Sequence, residues 1–340
     1  MNLKRLFLTG RSRLLLAVLT LLWGTLPTAV FAGGAAEPAH PAAEKVTLVL
    51  DWVPNTNHAG VYTALELGLY DREGIRLTIV QPAESTSPLL VAAGRGEFGI
   101  SFQDELTYAL TGGTPLPLRA VAAILQHNTS GFASLPDRHI RNPKDFEGRT
   151  YGGWGSEFED ALIRAVMKEA GADFSKVKVV NIGASDFFAG FDQGVDFRWI
   201  FYGWDGIRAE IEGKPIDYMP LLSLSENLDY YTPIIITSSR LLEENPSLVR
   251  RFLKATAEGY LFAAANPEKA ASMLLKHAPE IPEALAVKSI SYLAPYFTDE
   301  GRWGVMKESV WKTFGAFMYR QGLLPGELAA EKAFTNAYLP

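Results

Sequence analysis

Six short apolar runs punctuate the chain: VTLVL at 46–50, IRLTIV at 75–80, FGISF at 98–102, LRAVAAIL at 118–125, KVVNI at 178–182 and FRWIF at 197–201. Their length and β-branched content predict strands. Helical-period segments separate them, and this alternation predicts α/β sheets. From Ser239 onward the pattern becomes helical almost throughout. Asn245-Pro246 sets a cap residue before a proline at the first helical position, and Val249, Phe252, Leu253, Thr256 and Tyr260 follow at helical spacing. Asn266-Pro267 repeats the signal, and further helices are expected around 281–294 and 304–321.

Two extended stretches read as crossings between two lobes. Gln126–Gly131 follows the strand that ends at Leu125, and Tyr230-Tyr231-Thr232-Pro233 leads into Ile234-Ile235-Ile236. The expected organisation is a discontinuous first lobe, 45–127 plus 233–340, with a second lobe at 128–232 inserted into it. Ligands of open α/β sheets bind at the carboxyl ends of strands, so two facing lobes imply a cleft.

Residues 1–32 read as an export signal and not as fold. Lys4, Arg5, Arg11 and Arg13 precede the apolar run 14–22, and Val30-Phe31-Ala32 predicts cleavage after Ala32. The run is shorter than the ~20 apolar residues of a membrane span. Residues 33–44, GGAAEPAHPAAE, read as a linker. With the signal removed, 28 basic residues face 38 acidic ones, a net charge of −10 against −6 for the whole chain. That balance disfavours nucleic acid as a partner. An exported protein in the periplasm is expected. At 340 residues and 48% hydrophobic the chain is long enough for about two globular domains. It has no cysteine, which excludes disulfides, cysteine-ligated metal, thiol nucleophiles and a lipid anchor on an N-terminal cysteine.

Candidate chemistry gathers where strands end. Asp51-Trp52-Val53-Pro54-Asn55-Thr56-Asn57-His58 follows the first strand and precedes a helical run containing Tyr62. It reads either as a capped turn or as a cleft edge offering a flat indole and several donors and acceptors. In FRWIF, alternation puts Trp199 and Phe201 on one face and Arg198, Ile200 and Tyr202 on the other, one of them core. Tyr202 and Trp204 then offer aromatic faces for a planar ring, while Asp205 either accepts hydrogen bonds from that ring or caps a helix starting at Gly206. Gln103 is a further candidate for the cleft, with Asp104 a first-turn acid favoured by the helix dipole. Trp154-Gly155-Ser156-Glu157 opens another helix, whose N-terminus either holds an anion or is capped by Ser156. No nucleophile elbow, zinc-protease helix, dinucleotide fingerprint or phosphate loop is present. His58 and His127, at the proposed cleft edges, lack an evident carboxylate partner, so neither a metal nor a catalytic residue is expected.

Taken together, LDWVPNTNHAGVY at 50–62, AAGRGEFGISFQDEL at 92–106, AAILQHNTSG at 122–131 and WIFYGWDG at 199–206 resemble the SsuA/THI5-like, or NMT1-like, family of ABC-transporter substrate-binding proteins. The resemblance runs from Val46 to Pro340. It implies a type II periplasmic-binding-protein fold, two α/β lobes closing on a ligand that an ABC permease with a cytoplasmic ATPase then receives. It also implies a monomer without a cofactor. ThiY-type members, which bind formylaminopyrimidine or hydroxymethylpyrimidine, look nearest; others carry riboflavin, sulfonates, taurine or nitrate. ThiY-like proteins are expected to set an acid against the pyrimidine, and Asp205 is the candidate for that role in this chain. A branch of enzymes makes the thiamine pyrimidine from its own histidine and pyridoxal phosphate. His58 matches their NHxG position, but their cysteine-rich iron motif cannot exist in this chain. The expected site is therefore a sandwich between Trp52 or Tyr62 and Tyr202 or Trp204, oriented by Asn55, Asn57, His58 and Asp205.

Overall fold

The computed structural model describes residues 43–340 apart from 84, 184–186 and 300. The expected export signal and nearly all of the linker lie outside the described residues. Among the described residues, ten strands make two five-stranded sheets. The first holds β1 (Glu44–Val49), β2 (Ile75–Val80), β3 (Phe98–Ser101) and β4 (Leu118–Ala123). The second holds β5 (Ser130–Ser134), β6 (Thr150–Gly153), β7 (Lys178–Asn181), β8 (Phe197–Phe201) and β9 (Asp217–Pro220). Returning to the first sheet, β10 spans Ile234–Ser238.

The strand orders are β2-β1-β3-β10-β4 and β7-β6-β8-β5-β9. In each sheet three adjacent strands pair in parallel, and the strand delivered by a crossing, β10 or β5, pairs antiparallel with both neighbours and alone runs against the other four. The two halves thus share one plan. In each, the central parallel strands point their carboxyl ends toward the crossings, where binding loops belong.

All six sequence-read strands form, within a residue or two of their expected ends. For β8 one of the two faces was expected to be core, and both are: β8 is the middle strand of its sheet, with Trp199 packed in one cluster and Ile200 in another. A central strand covered on both faces has no free side. Among the C-terminal helices, Pro246–Ala265 is capped as read, Asn245 accepting from the Leu248 N–H at 3.1 Å. Asn266 gives no side-chain cap and instead turns its amide back to the Phe262 carbonyl, 3.1 Å away. A hairpin at Thr298–Asp299 and Arg302–Trp303 interrupts the helices, an element absent from the sequence reading.

Packing crosses the division of the chain. Ile207, Tyr202 and Trp204 follow β8 yet pack against the core of the first sheet. Helix Glu308–Arg320 reaches both cores, with Trp311 among Leu118, Ala120 and Ile234, and with Phe314, Phe317 and Met318 in the core of the second sheet. The crossings are laced by polar groups. Asn128 N–H donates to Asp229 at 2.9 Å, and His127 lies between Asp229 (2.7 Å) and Asp299 (3.4 Å). The Asp229 hydrogen bond holds the His127 pKa above its usual value.

Candidate functional site

The loop after β1 is set by its own short-range bonds. Asn55 accepts from Asn57 N–H at 2.9 Å and donates to the Val53 carbonyl at 3.1 Å, fixing a 3-10 turn at Thr56–His58. His58 is fully buried. Its Nδ1 accepts from Asn55 N–H at 3.2 Å, so Nε2 carries the proton that meets Asp51 Oδ1 at 2.6 Å. Both ring nitrogens are spent, and the carboxylate partner missed in the sequence reading is Asp51. The Asn57 carbonyl accepts from the Tyr260 hydroxyl at 2.8 Å, while its carboxamide makes no hydrogen bond among the described residues.

After β6, Glu159 folds back over its own helix start. Its carboxylate accepts from the N–H groups of Trp154 (2.9 Å) and Ser156 (3.1 Å) and from the Tyr151 hydroxyl (2.7 Å), while Ser156 caps Glu159 N–H at 3.2 Å. Two of the amides that would have greeted an anion are occupied by the protein's own carboxylate, so Ser156 is a cap.

After β8 the chain makes a single π turn, Tyr202–Gly206, and a helix follows at Ile207–Ile211. Asp205 lies inside that turn and does not cap the helix. Gly206 has no Cβ, and one added there would meet the Tyr202 ring at 2.4 Å. The ring therefore lies against the turn, its hydroxyl donating to Glu210 at 2.7 Å, between Tyr218 and Tyr292.

These loops enclose a cleft of about 640 Å³, lined from both sheets. Asp51, Trp52, Asn55 and Asn57 come from the first; Trp154, Trp199, Trp204 and Asp205 come from the second. Trp52 and Trp154 are 50% and 39% exposed and stand at its mouth. Trp199 is buried, with its indole N–H unpartnered among the described residues.

Five expected site residues lie outside this lining. His58 is sealed beneath the loop. Tyr62 is buried against His277, ring centres 5.0 Å apart. Gln103 is buried and holds the second crossing, its Oε1 accepting from Tyr231 N–H at 2.8 Å. Glu157 is exposed beside the cap, and Tyr202 is turned away as described.

The structure adds residues that the sequence reading did not place in the cleft. Asp104 and Glu105 face it from the first turn of helix Gln103–Thr111. Burial and the neighbouring Glu105 push the Asp104 pKa up to about 7, and burial also raises that of Glu105. Arg198 and Arg208 bring positive charge, but Arg198 donates to the Phe187 carbonyl (3.1 Å) and Arg208 to Glu212 (2.6 Å). Phe158 and Tyr230 complete the aromatic wall, backed by Phe314. An acid at a helix start just after a strand was a readable signal for Asp104; nothing local marks Tyr230.

A buried hydroxyl chain joins the two walls. Thr56 and Ser289 hydroxyls are 2.6 Å apart, and Ser289 donates to the Gly203 carbonyl, so Thr56 is the donor to Ser289. Thr56 follows β1 and Gly203 follows β8. Ser289→Ala orphans that carbonyl, a loss of about 1 kcal/mol. Ligand dissociation, followed by stopped-flow tryptophan fluorescence, is expected to quicken roughly fivefold. Unchanged dissociation refutes a role for Ser289 in spacing the walls.

Two mixed α/β sheets facing one cleft define the periplasmic-binding-protein fold. The alkanesulfonate-binding protein SsuA from Xanthomonas axonopodis pv. citri, solved bound to MOPS, matches with a TM-score of 0.65 at 14% identity, covering 87% of this chain and 99% of that one. The chain belongs to the NMT1/THI5-like family, whose description matches residues 55–270. It is similar to the formylaminopyrimidine-binding protein of Halalkalibacterium halodurans, 25% identical over 87% of this chain and 91% of that protein. The riboflavin-binding protein RibY of Chloroflexus aurantiacus is 26% identical over 93% and 92%. A 4-amino-5-hydroxymethyl-2-methylpyrimidine phosphate synthase of Legionella pneumophila is 24% identical over 87% and 92%. Among the described residues no helix is long and apolar enough to cross a membrane.

Proposed function

We propose that the chain is the exported, periplasmic solute-binding component of an ABC importer and that its cleft holds a planar heteroaromatic, a pyrimidine precursor of thiamine. The observation that carries this reading is the cleft itself, with indoles contributed by both sheets around a space of small-ligand size. Stacking on aromatic faces adds ~0.5–1.5 kcal/mol per contact beyond area burial, and it favours a flat ring over an aliphatic solute. The internal capping by Glu159 weighs against a sulfonate or nitrate carrier. His58 weighs against a synthase, since a fully buried imidazole with both nitrogens engaged is poorly placed to react. A flavin is the second reading, favoured by a cleft volume that exceeds the needs of a single pyrimidine ring and by the similarity to RibY.

The test is to denature the purified protein, then record the absorption and mass of what it releases. Titration of ligand-free refolded protein with 4-amino-5-hydroxymethyl-2-methylpyrimidine and riboflavin completes it. An ultraviolet-absorbing pyrimidine, or tight binding of the first titrant, is expected. A yellow extract with tight riboflavin binding replaces the pyrimidine by a flavin, and binding of neither titrant overturns the heteroaromatic reading.

A further inference from the structure

One wall of the cleft has a donor and acceptor pattern of its own. Ring contacts run without a break from Trp154 to Trp199 (5.2 Å), Trp199 to Phe158 (5.9 Å) and Phe158 to Tyr230 (6.1 Å). Asp104, Tyr108 and Tyr230 line the same cleft, and burial, followed by the Asp104 charge, raises the pKa of both tyrosines. Along this wall, the Trp199 indole N–H is buried with no partner among the described residues.

The acids of the cleft are not equivalent. Asp51 is engaged by His58, Glu105 accepts from the Ser101 hydroxyl at 2.6 Å, and Asp205, in the π turn of the opposite wall, is already engaged within the protein. Among the described residues, the Asp104 carboxylate has no side-chain hydrogen-bond partner. A recessed carboxylate keeps further lone pairs that need N–H donors. A buried indole N–H needs an acceptor. A ring that meets both carries an exocyclic amino group on one edge and a ring nitrogen or carbonyl on another.

Resting on the heteroaromatic reading above, we propose that Asp104 selects an amino-substituted ring over its oxo counterpart. An amino group donates to the carboxylate, whereas an exocyclic oxygen sets lone pair against lone pair, and a site built around one hydrogen-bonding pattern penalises a ligand that leaves its groups unpaired. Asp104 thereby becomes a specificity residue of the cleft, independent of the indoles that grip the ring faces.

The experiment compares calorimetric titrations of the whole protein at pH 8 with 4-amino-5-hydroxymethyl-2-methylpyrimidine and with the same pyrimidine bearing oxygen in place of the amino group. Wild-type protein is expected to favour the amino ring by at least roughly tenfold. In Asp104→Asn, whose carboxamide both donates and accepts, the preference is expected to fall to within about threefold. Equal binding of the two rings by wild-type protein, or an undiminished preference in a folded Asp104→Asn, overturns the assignment while leaving the heteroaromatic reading intact. The wild-type comparison decides even if the variant does not fold. Binding of neither ring overturns the assignment together with the pyrimidine reading, and the riboflavin titration above then decides the heteroaromatic one.

Discussion

Trp204→Ala is expected to weaken ligand binding by ten- to a hundredfold. Trp204 lies in the π turn after β8 and faces the cleft with part of its ring packed on the first-sheet core, so its face is held in place before a ligand arrives. Losing a preformed aromatic contact removes both area burial and stacking, together about 1.5–3 kcal/mol, which is one to two decades in affinity. Trp204→Phe keeps a ring in place and should recover most of the loss. Titration of both variants with 4-amino-5-hydroxymethyl-2-methylpyrimidine and riboflavin is the measurement, with melting curves to confirm folding. Unchanged affinity in Trp204→Ala would remove this residue from the binding surface.

Gly259→Ala is expected to destabilise the fold by about 3 kcal/mol and to lower the melting temperature by roughly 6 °C or more. Helices Ala59–Glu66 and Pro246–Ala265 cross at this glycine. A Cβ built there would meet the Gly60 carbonyl oxygen at 2.1 Å, the Ala64 Cβ at 2.7 Å and the Ala64 nitrogen at 2.9 Å. Backbone atoms cannot rotate aside as a side chain does, so the helices must separate. In an open helix the same substitution gains up to about 1 kcal/mol from helix propensity, and the sign of the result therefore tells whether the contact exists. A raised melting temperature would refute the close crossing. The neighbouring Tyr260 hydroxyl holds the Asn57 carbonyl, so displacement of this helix should also loosen the cleft loop and weaken binding.

Much of the architecture was legible in the chain. Apolar runs of strand length were bounded by helical segments, and Asn-Pro pairs marked the long C-terminal helices. The loops after β1, β3, β6 and β8 could be assigned to one cleft because a strand's carboxyl end is where an open α/β sheet exposes backbone groups and accepts a ligand. That assignment needs only the order of elements. It could not say which side chain of each loop faces the cleft.

Partners from elsewhere decided that. Gln103 is claimed by Tyr231, 128 positions along the chain. Tyr62 is claimed by His277, and Tyr202 by Glu210 and two further tyrosines. His58 and Asp51 satisfy each other beneath the loop that carries them. Asp104 became a cleft acid because the aromatic wall beside it includes Tyr230, from the second crossing. The sequence by itself determined six of the strands, the start of the long C-terminal helix and the loops that meet. Only the tertiary structure decided which of their polar and aromatic groups stay available to a ligand, because a buried polar group turns to whatever partner the fold brings within reach, and that partner is usually remote in sequence.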